Sequence, residues 1–81
     1  MTEQGMPTLR VDFQNCDPSG RVRLNTRGTL EDLASQRVQL AEGQALRLVD
    51  GELAALGSAT FSADERLWVA TVDWKEVIPS N

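Results

Sequence analysis

The chain has 81 residues, of which 41% are hydrophobic and 25% charged, with one cysteine, no histidine and a formal net charge of −4. This length limits the chain to one domain with a thin core, and the composition argues against a disordered protein. The absence of histidine removes the commonest general base and metal ligand, and a single cysteine excludes an intrachain disulfide.

The same features bear on the cellular location of the protein. The N-terminal sequence MTEQGMPTLR has no apolar stretch of the kind a signal peptide needs, and no run approaches the length of a membrane span. Small secreted domains usually carry several disulfides. We therefore expect a cytoplasmic protein with no membrane contact.

The first predicted elements form a hairpin. Residues 1–7 are polar with a glycine and a proline, and we expect a flexible lead-in there. The segments TLRVDFQ and RVRLN then alternate apolar and polar residues, as half-buried strands do. Between them, Asp17, Pro18 and Gly20 stand at positions favoured in a tight turn. The pattern predicts an antiparallel hairpin over residues 8–25.

A helical period follows the hairpin. Leu30, Leu33 and Ala34 fall at positions i, i+3 and i+4, and Thr29 precedes them as a candidate N-cap. We therefore predict one short helix over about 30–37, between the second and third strands.

The rest of the chain reads as further strands. Apolar alternation through Leu46 and Leu48 predicts a strand that ends in a turn at 50–51. The alanine- and leucine-rich residues 52–56 are compatible with a helical turn, and strand is favoured after them. RLWVATVDW, at 66–74, is the most strand-like segment, because its β-branched residues favour extended backbone.

The spacing of the two tryptophans also indicates a strand. An even spacing of six places Trp68, Ala70, Val72 and Trp74 on one strand face, where the two rings can cap a thin core from opposite ends. Together the elements predict a mainly β (α+β) fold, a small partly open antiparallel barrel of about five strands with one short helix. We expect a single domain over 8–78 and a tail at 79–81.

Catalytic chemistry is not indicated. Cys16 stands beside Asp17, whose negative charge disfavours a thiolate. Lys75, the only lysine, is flanked by charged residues rather than by the apolar surroundings that activate a lysine. The carboxylates show no metal-loop spacing, and there is no phosphate-binding glycine motif. We predict no catalytic residue, no metal site and no cofactor.

The first functional hypothesis is a protein-interaction or binding module. Tryptophan is enriched among binding hot spots, and an apolar segment follows the second tryptophan. The candidate contact residues are Trp74, Val77, Ile78 and Trp68. The partner is an unknown protein or a second copy of the chain, because a thin core is often completed by dimerisation. The alternative is that Val77 and Ile78 close the protein's own core.

The second hypothesis is nucleic-acid binding. Four arginines cluster in the first third of the chain, and cations on an exposed sheet face can hold phosphates. They are Arg10, Arg21, Arg23 and Arg27. The alternative is a solvated hairpin face whose arginines lie among nearby acidic residues.

A local motif supports that second hypothesis. The motif G-R-[VI]-x-[LI] is matched by Gly20, Arg21, Val22 and Leu24. A later motif, L-x-x-G-[DE]-x-[VL]-x-[LV] with an acidic-glycine turn, is matched in part by Leu40, Gly43, Leu46, Leu48, Asp50 and Gly51. Residues 19–53 thereby resemble the swapped-hairpin DNA-binding regulators and antitoxins, although Asn25 replaces the family's proline. The resemblance implies a homodimer that contacts duplex DNA through residues 21–27.

Overall fold

The computed structural model describes residues 6–79. Within this range the chain forms six strands, one α-helix and one short 3-10 helix. In chain order they are β1 (Thr8–Arg10), β2 (Val22–Arg23), α1 (Arg27–Ser35), β3 (Ala45–Asp50), β4 (Leu53–Ser62), β5 (Leu67–Val72), the 3-10 helix (Trp74–Glu76) and β6 (Ile78–Pro79).

The strands belong to one curled sheet. The order across it is β1-β3-β4-β5-β2, and the short β6 pairs with the start of β4. The first five strands form a half-barrel, so the prediction of a mainly β, partly open barrel with one helix between the second and third strands is confirmed. The sheet is mixed, because β1 and β3 run parallel while the other pairs are antiparallel.

The predicted hairpin over residues 8–25 is wrong in its first strand. β1 pairs with β3, and β2 pairs with β5 at the opposite edge of the sheet. Only the residues beside the predicted turn pair as expected. The Arg23 amide donates to the Asn15 carbonyl at 2.9 Å, and the Asp17 amide donates to the Arg21 carbonyl at 2.8 Å. The N-terminal segment therefore reaches both edges of the half-barrel.

Helix α1 begins earlier than the predicted 30–37. The Thr26 hydroxyl accepts a hydrogen bond from the Thr29 amide at 3.2 Å, which makes Thr26 the N-cap. The prediction of Thr29 as the cap is wrong, and this threonine is fully buried in the first turn.

The C-terminal end of α1 is closed by a Schellman motif. The Val38 amide donates to the Leu33 carbonyl at 2.9 Å, and the Arg37 amide donates to the Ala34 carbonyl at 3.2 Å. Arg37 adopts the left-handed conformation, with φ of 56°, that usually falls to glycine at this position.

Side chains of α1 and of its C-cap residue, Gln36, cover the outer edge of β1. The Thr29 hydroxyl donates to the Arg10 carbonyl at 2.5 Å, and the Asp32 carboxylate accepts from the Arg10 amide at 2.8 Å. The Gln36 amide group donates to the Thr8 carbonyl at 2.8 Å. An edge strand normally leaves such backbone groups open to another chain. Here α1 takes the place that a neighbouring strand would occupy.

Strand β4 is the centre of the sheet. A two-residue turn at 51–52 joins it to β3, and the helical turn considered for 52–56 does not form, since those residues enter the strand. Gly57 is the first residue of β4 that pairs with both β3 and β5. A Cβ atom at Gly57 would lie 2.8 Å from the Thr71 carbonyl oxygen, so only glycine permits this close approach.

Strand β5 is shorter than the predicted 66–74. The Asp73 carboxylate accepts a hydrogen bond from the Lys75 amide at 3.0 Å and caps the 3-10 helix that ends the extended backbone. Trp74 therefore lies outside the strand and does not share a strand face with Trp68. The two rings lie near opposite ends of β5.

The core fills the inside of the half-barrel. Its members come from β1 to β5 and the adjoining loops, and Phe13, Leu33, Leu40 and Val77 pack against it from its margins. The buried cluster comprises Leu9, Val11, Val22, Leu24, Leu46, Leu48, Ala55, Ala59, Ala70 and Val72.

The sheet extends slightly beyond the predicted domain of 8–78. Pro79 pairs with β4 as part of β6, and the Pro7 carbonyl accepts a hydrogen bond from the Arg47 amide at 2.8 Å. The remainder of the predicted lead-in and tail, residues 1–5 and 80–81, lies outside the described residues.

Candidate functional site

An open groove of about 250 Å³ lies where β6 joins β4. We call its lining the Ile78 surface. It is formed by Arg47, Ala54, Ala55, Leu56, Asp73, Glu76 and Ile78.

Strand register places the strand residues of this surface, except Ala55, on the outer side of the sheet. Ala55 belongs to the core cluster, so alternation along β4 directs Ala54 and Leu56 outward. Ile78 is the cross-strand partner of Ala54, and Arg47 is the partner of Leu56. Directly opposed residues share a face, so all four side chains lie on the same side of the sheet.

The apolar part of the Ile78 surface is open to solvent. Leu56 is 58% exposed and Ile78 is 55% exposed, while Ala54 between them is almost fully buried. A single exposed leucine is ordinary on a protein surface, whereas Leu56 and Ile78 are two large exposed apolar side chains that border the same groove.

Charged side chains flank the groove on both sides of β4. Arg47 projects from β3, and Asp73 and Glu76 come from the segment between β5 and β6. No ion pair within residues 6–79 involves any of these three side chains. The groove therefore has a cation on one side and carboxylates on the other.

The four predicted interaction residues lie in different places, and only Ile78 lines the groove. Val77 packs against the core. Trp74 is 43% exposed, and its ring stands edge-on to Phe13 with centroids 5.6 Å apart. Its indole nitrogen donates to the Gly20 carbonyl at 3.2 Å, so this tryptophan ties the C-terminal segment to the turn before β2.

Trp68 lies at the other end of β5. Its ring stands edge-on to Phe61 with centroids 5.5 Å apart, and it packs against the core. Phe61 is 47% exposed, so the aromatic pair has one member against the core and one open to solvent. This position makes Trp68 a part of the barrel wall, remote in the sheet from the C-terminal groove.

Three of the four arginines predicted as a nucleic-acid face are paired with carboxylates. The pairs are Arg10 with Asp32 at 2.9 Å, Arg21 with Asp17 at 2.8 Å and Arg23 with Glu65 at 2.7 Å. Arg27 is exposed and has no ion pair within the described residues. Because β1 and β2 do not pair, no hairpin brings Arg10 across to Arg21 and Arg23.

The Asp17 carboxylate organises the turn before β2. It is buried and accepts hydrogen bonds from the Ser19 amide, the Arg21 amide and the Arg21 guanidinium at 2.8–2.9 Å. The bond from the Arg21 amide is the largest of the effects that lower the pKa of Asp17. A smaller cleft of about 140 Å³ adjoins this turn, but its carboxylate is already engaged within the turn.

The remaining candidate groups are the Cys16 thiol and the carboxylates outside the groove. The Cys16 thiol donates to the Phe13 carbonyl at 3.2 Å, and burial followed by the charge of Asp17 raises the pKa of the thiol. Within residues 6–79, no three acidic or sulfur side chains gather in a way that would hold a metal ion. The same part of the chain has no helix with the length and apolarity to cross a bilayer.

Comparison with protein-family models, curated proteins and solved structures found no match for this chain. The resemblance to the swapped-hairpin regulators therefore rests on the strand motifs alone.

Sequence reasoning missed Leu56 and Arg47 as surface residues. The possibility of a helical turn at 52–56 concealed the alternation that directs Leu56 outward in β4. The available signal was the Asp50–Gly51 turn, because a two-residue hairpin sets Leu56 opposite Arg47 once both neighbours are strands.

Proposed function

We propose that the protein is a non-enzymatic, cytoplasmic protein-interaction module that binds its partner through the Ile78 surface. The observation that carries this proposal is the open groove bordered by Leu56 and Ile78, each more than half exposed. Burial of these two side chains by a partner would remove apolar area from water, which is the main driving force of protein association.

The chemistry of the groove favours binding over catalysis. Its apolar lining consists of alanine, leucine and isoleucine side chains, which carry no titratable proton and no nucleophile. The charged groups lie at the flanks, where they orient a partner and set specificity. The location in the cytoplasm is supported by the cysteine content alone.

The nucleic-acid alternative has weaker support. Arginines already paired with carboxylates bring little net positive charge to a phosphate backbone, and the chain has a net charge of −4. Arg27 alone among the four candidates keeps an unpaired charge within the described residues.

Affinity capture from the source cells, with and without nuclease, tests the proposal. The variant is Leu56→Glu, and the matched control is Leu30→Glu, because Leu30 on α1 is 54% exposed and lies outside the groove. We expect a protein partner that survives nuclease and is retained by wild type and Leu30→Glu but lost by Leu56→Glu. Equal capture by all three proteins contradicts the proposal, and loss on nuclease treatment supports the alternative.

A further inference from the structure

The flanks of the Ile78 surface carry opposite charges that the chain does not use. Arg47 is half-buried, yet it makes no ion pair within the described residues, unlike Arg10, Arg21 and Arg23. The carboxylate of Glu76 on the other side is likewise outside every ion pair there.

This arrangement is self-complementary. Arg47 lies on the β3 side of β4, and Glu76 lies on the side of β5 and β6. A two-fold axis that lies in the plane of the groove, parallel to β4, would place the apolar residues of one copy against those of the other. It would also bring Arg47 of each copy to Glu76 of the other, as symmetric dimer interfaces require.

We propose that the occupant of the Ile78 surface is a second copy of this chain, which forms a two-fold homodimer with Leu56 and Ile78 at its centre and two Arg47–Glu76 pairs at its rim. This inference rests on the proposed function and names its partner. Three features favour self-association: the opposite charges of Arg47 and Glu76 on the two sides of the groove, the exposed apolar pair at its centre and the thin core of an 81-residue domain.

Charge reversal provides a selective test. In an Arg47→Glu homodimer, two carboxylates would face each other at both rim positions, and in a Glu76→Arg homodimer two guanidinium groups would do so. Each variant should dimerise about tenfold more weakly than wild type, because two rim pairs change from attraction to repulsion. In an equimolar mixture, the Arg47→Glu copy presents two carboxylates and the Glu76→Arg copy presents two guanidinium groups. Both rim positions of the heterodimer therefore pair opposite charges again, so mixing should restore dimerisation to within about twofold of wild type.

The double variant Arg47→Glu/Glu76→Arg supplies a second rescue. It exchanges the two charges within each copy, so every rim position again pairs a carboxylate with a guanidinium group across the two-fold axis. We expect this double variant to dimerise within about twofold of wild type, because the apolar centre is unchanged and the rim attraction returns.

The measurements are sedimentation velocity on wild type and each variant over a range of concentrations, with circular dichroism to verify folding. Leu56→Glu should be monomeric, and Leu30→Glu should dimerise as wild type does. Wild type that stays monomeric throughout overturns the inference. Dimerisation insensitive to both Leu56→Glu and the charge reversals also overturns it, because the dimer then uses another surface.

The two proposals fail separately. If wild type is monomeric but Leu56→Glu still loses a captured protein, the Ile78 surface binds a different protein and only the homodimer is wrong. If the dimer fails and Leu56→Glu also captures the same proteins as Leu30→Glu, the proposed function is wrong as well.

Discussion

The Asp32 carboxylate holds both the backbone and the side chain of Arg10, a residue 22 positions earlier in the chain. It accepts from the Arg10 amide at 2.8 Å and from the guanidinium at 2.9 and 3.0 Å. The Asp32 side chain therefore satisfies one backbone amide at the edge of β1 and neutralises the charge of Arg10. The contact joins the helix to the sheet and fixes the position of the N-terminal strand.

Asp32→Ala should destabilise the protein. The substitution leaves the Arg10 amide without its acceptor and removes a charge-assisted pair, for which we expect a loss of about 2 kcal/mol in the free energy of unfolding. Urea unfolding followed by tryptophan fluorescence measures the change. Glu31→Ala is the control, since Glu31 is 59% exposed and approaches the same guanidinium only at 3.4 Å. If both variants lose the same stability, the contact with the Arg10 amide contributes nothing specific.

The same carboxylates should make the protein sensitive to acid. Hydrogen bonds from Arg10, Arg21 and Arg23 lower the pKa values of Asp32, Asp17 and Glu65 from ordinary values of 3.8, 3.8 and 4.5. A carboxylate whose pKa is lowered by folding stabilises the native state above its unfolded pKa, and this stabilisation is lost as the pH falls toward the folded pKa.

Stability should therefore be nearly constant above about pH 5.5 and fall steadily below about pH 4.5. Urea midpoints taken at a series of pH values measure this dependence. Asp32→Asn should show a shallower decline than wild type, because the titrating group is gone. A midpoint that does not change down to about pH 3 would show that these pairs have no effect on stability.

Arg37→Gly should stabilise the protein. The left-handed conformation at the end of α1 costs an L-residue about 1–2 kcal/mol, and glycine avoids this strain at a smaller cost in chain entropy. We expect a net gain of about 0.5–1 kcal/mol in the free energy of unfolding. Arg37→Ala keeps the strain while removing the same charge, and it should show no gain. If both variants change the free energy of unfolding equally, the change comes from loss of the arginine charge and not from relief of backbone strain.

Gly57→Ala should be among the more damaging single substitutions in the sheet. The added methyl group would meet the Thr71 carbonyl at 2.8 Å, and the Leu48 and Val72 side chains at 3.3 and 3.4 Å. Forcing a group into packed structure costs about 1–3 kcal/mol. Thermal unfolding should show a clear drop in Tm for this variant and little change for Ser58→Ala, its neighbour in β4. If Gly57→Ala unfolds at the wild-type Tm, β4 and β5 move apart at this position without loss of stability.

The sequence predicted which side chains face the core more reliably than it predicted which strands pair. Alternation in TLRVDFQ identified Leu9 and Val11 as core residues, and both are buried. The partner of β1 depends on residues far away in the chain. Asp32, Thr29 and Gln36 cover one side of the strand, and β3 takes the other. No local pattern contains this information.

The candidate site was less accessible to prediction than the fold. Ile78 was identified from the apolar C-terminal segment, and it lines the groove. Leu56 was not, because alanine and leucine suit both helices and buried strands. The arginines were grouped through a hairpin that does not form, and their carboxylate partners could not be read from sequence because one of them, Glu65, lies 42 residues from Arg23.

The parallel pairing of β1 with β3 has a kinetic consequence. β3, β4 and β5 are joined by short turns, so their antiparallel pairing requires little loop closure. Thr8 must instead find Arg47 across 39 positions, and Val22 must find Ala70 across 48. Contacts this distant slow folding. The meander of β3, β4 and β5 should therefore form first, with one side of its core uncovered. The N-terminal third of the chain should then pack onto it in a later step.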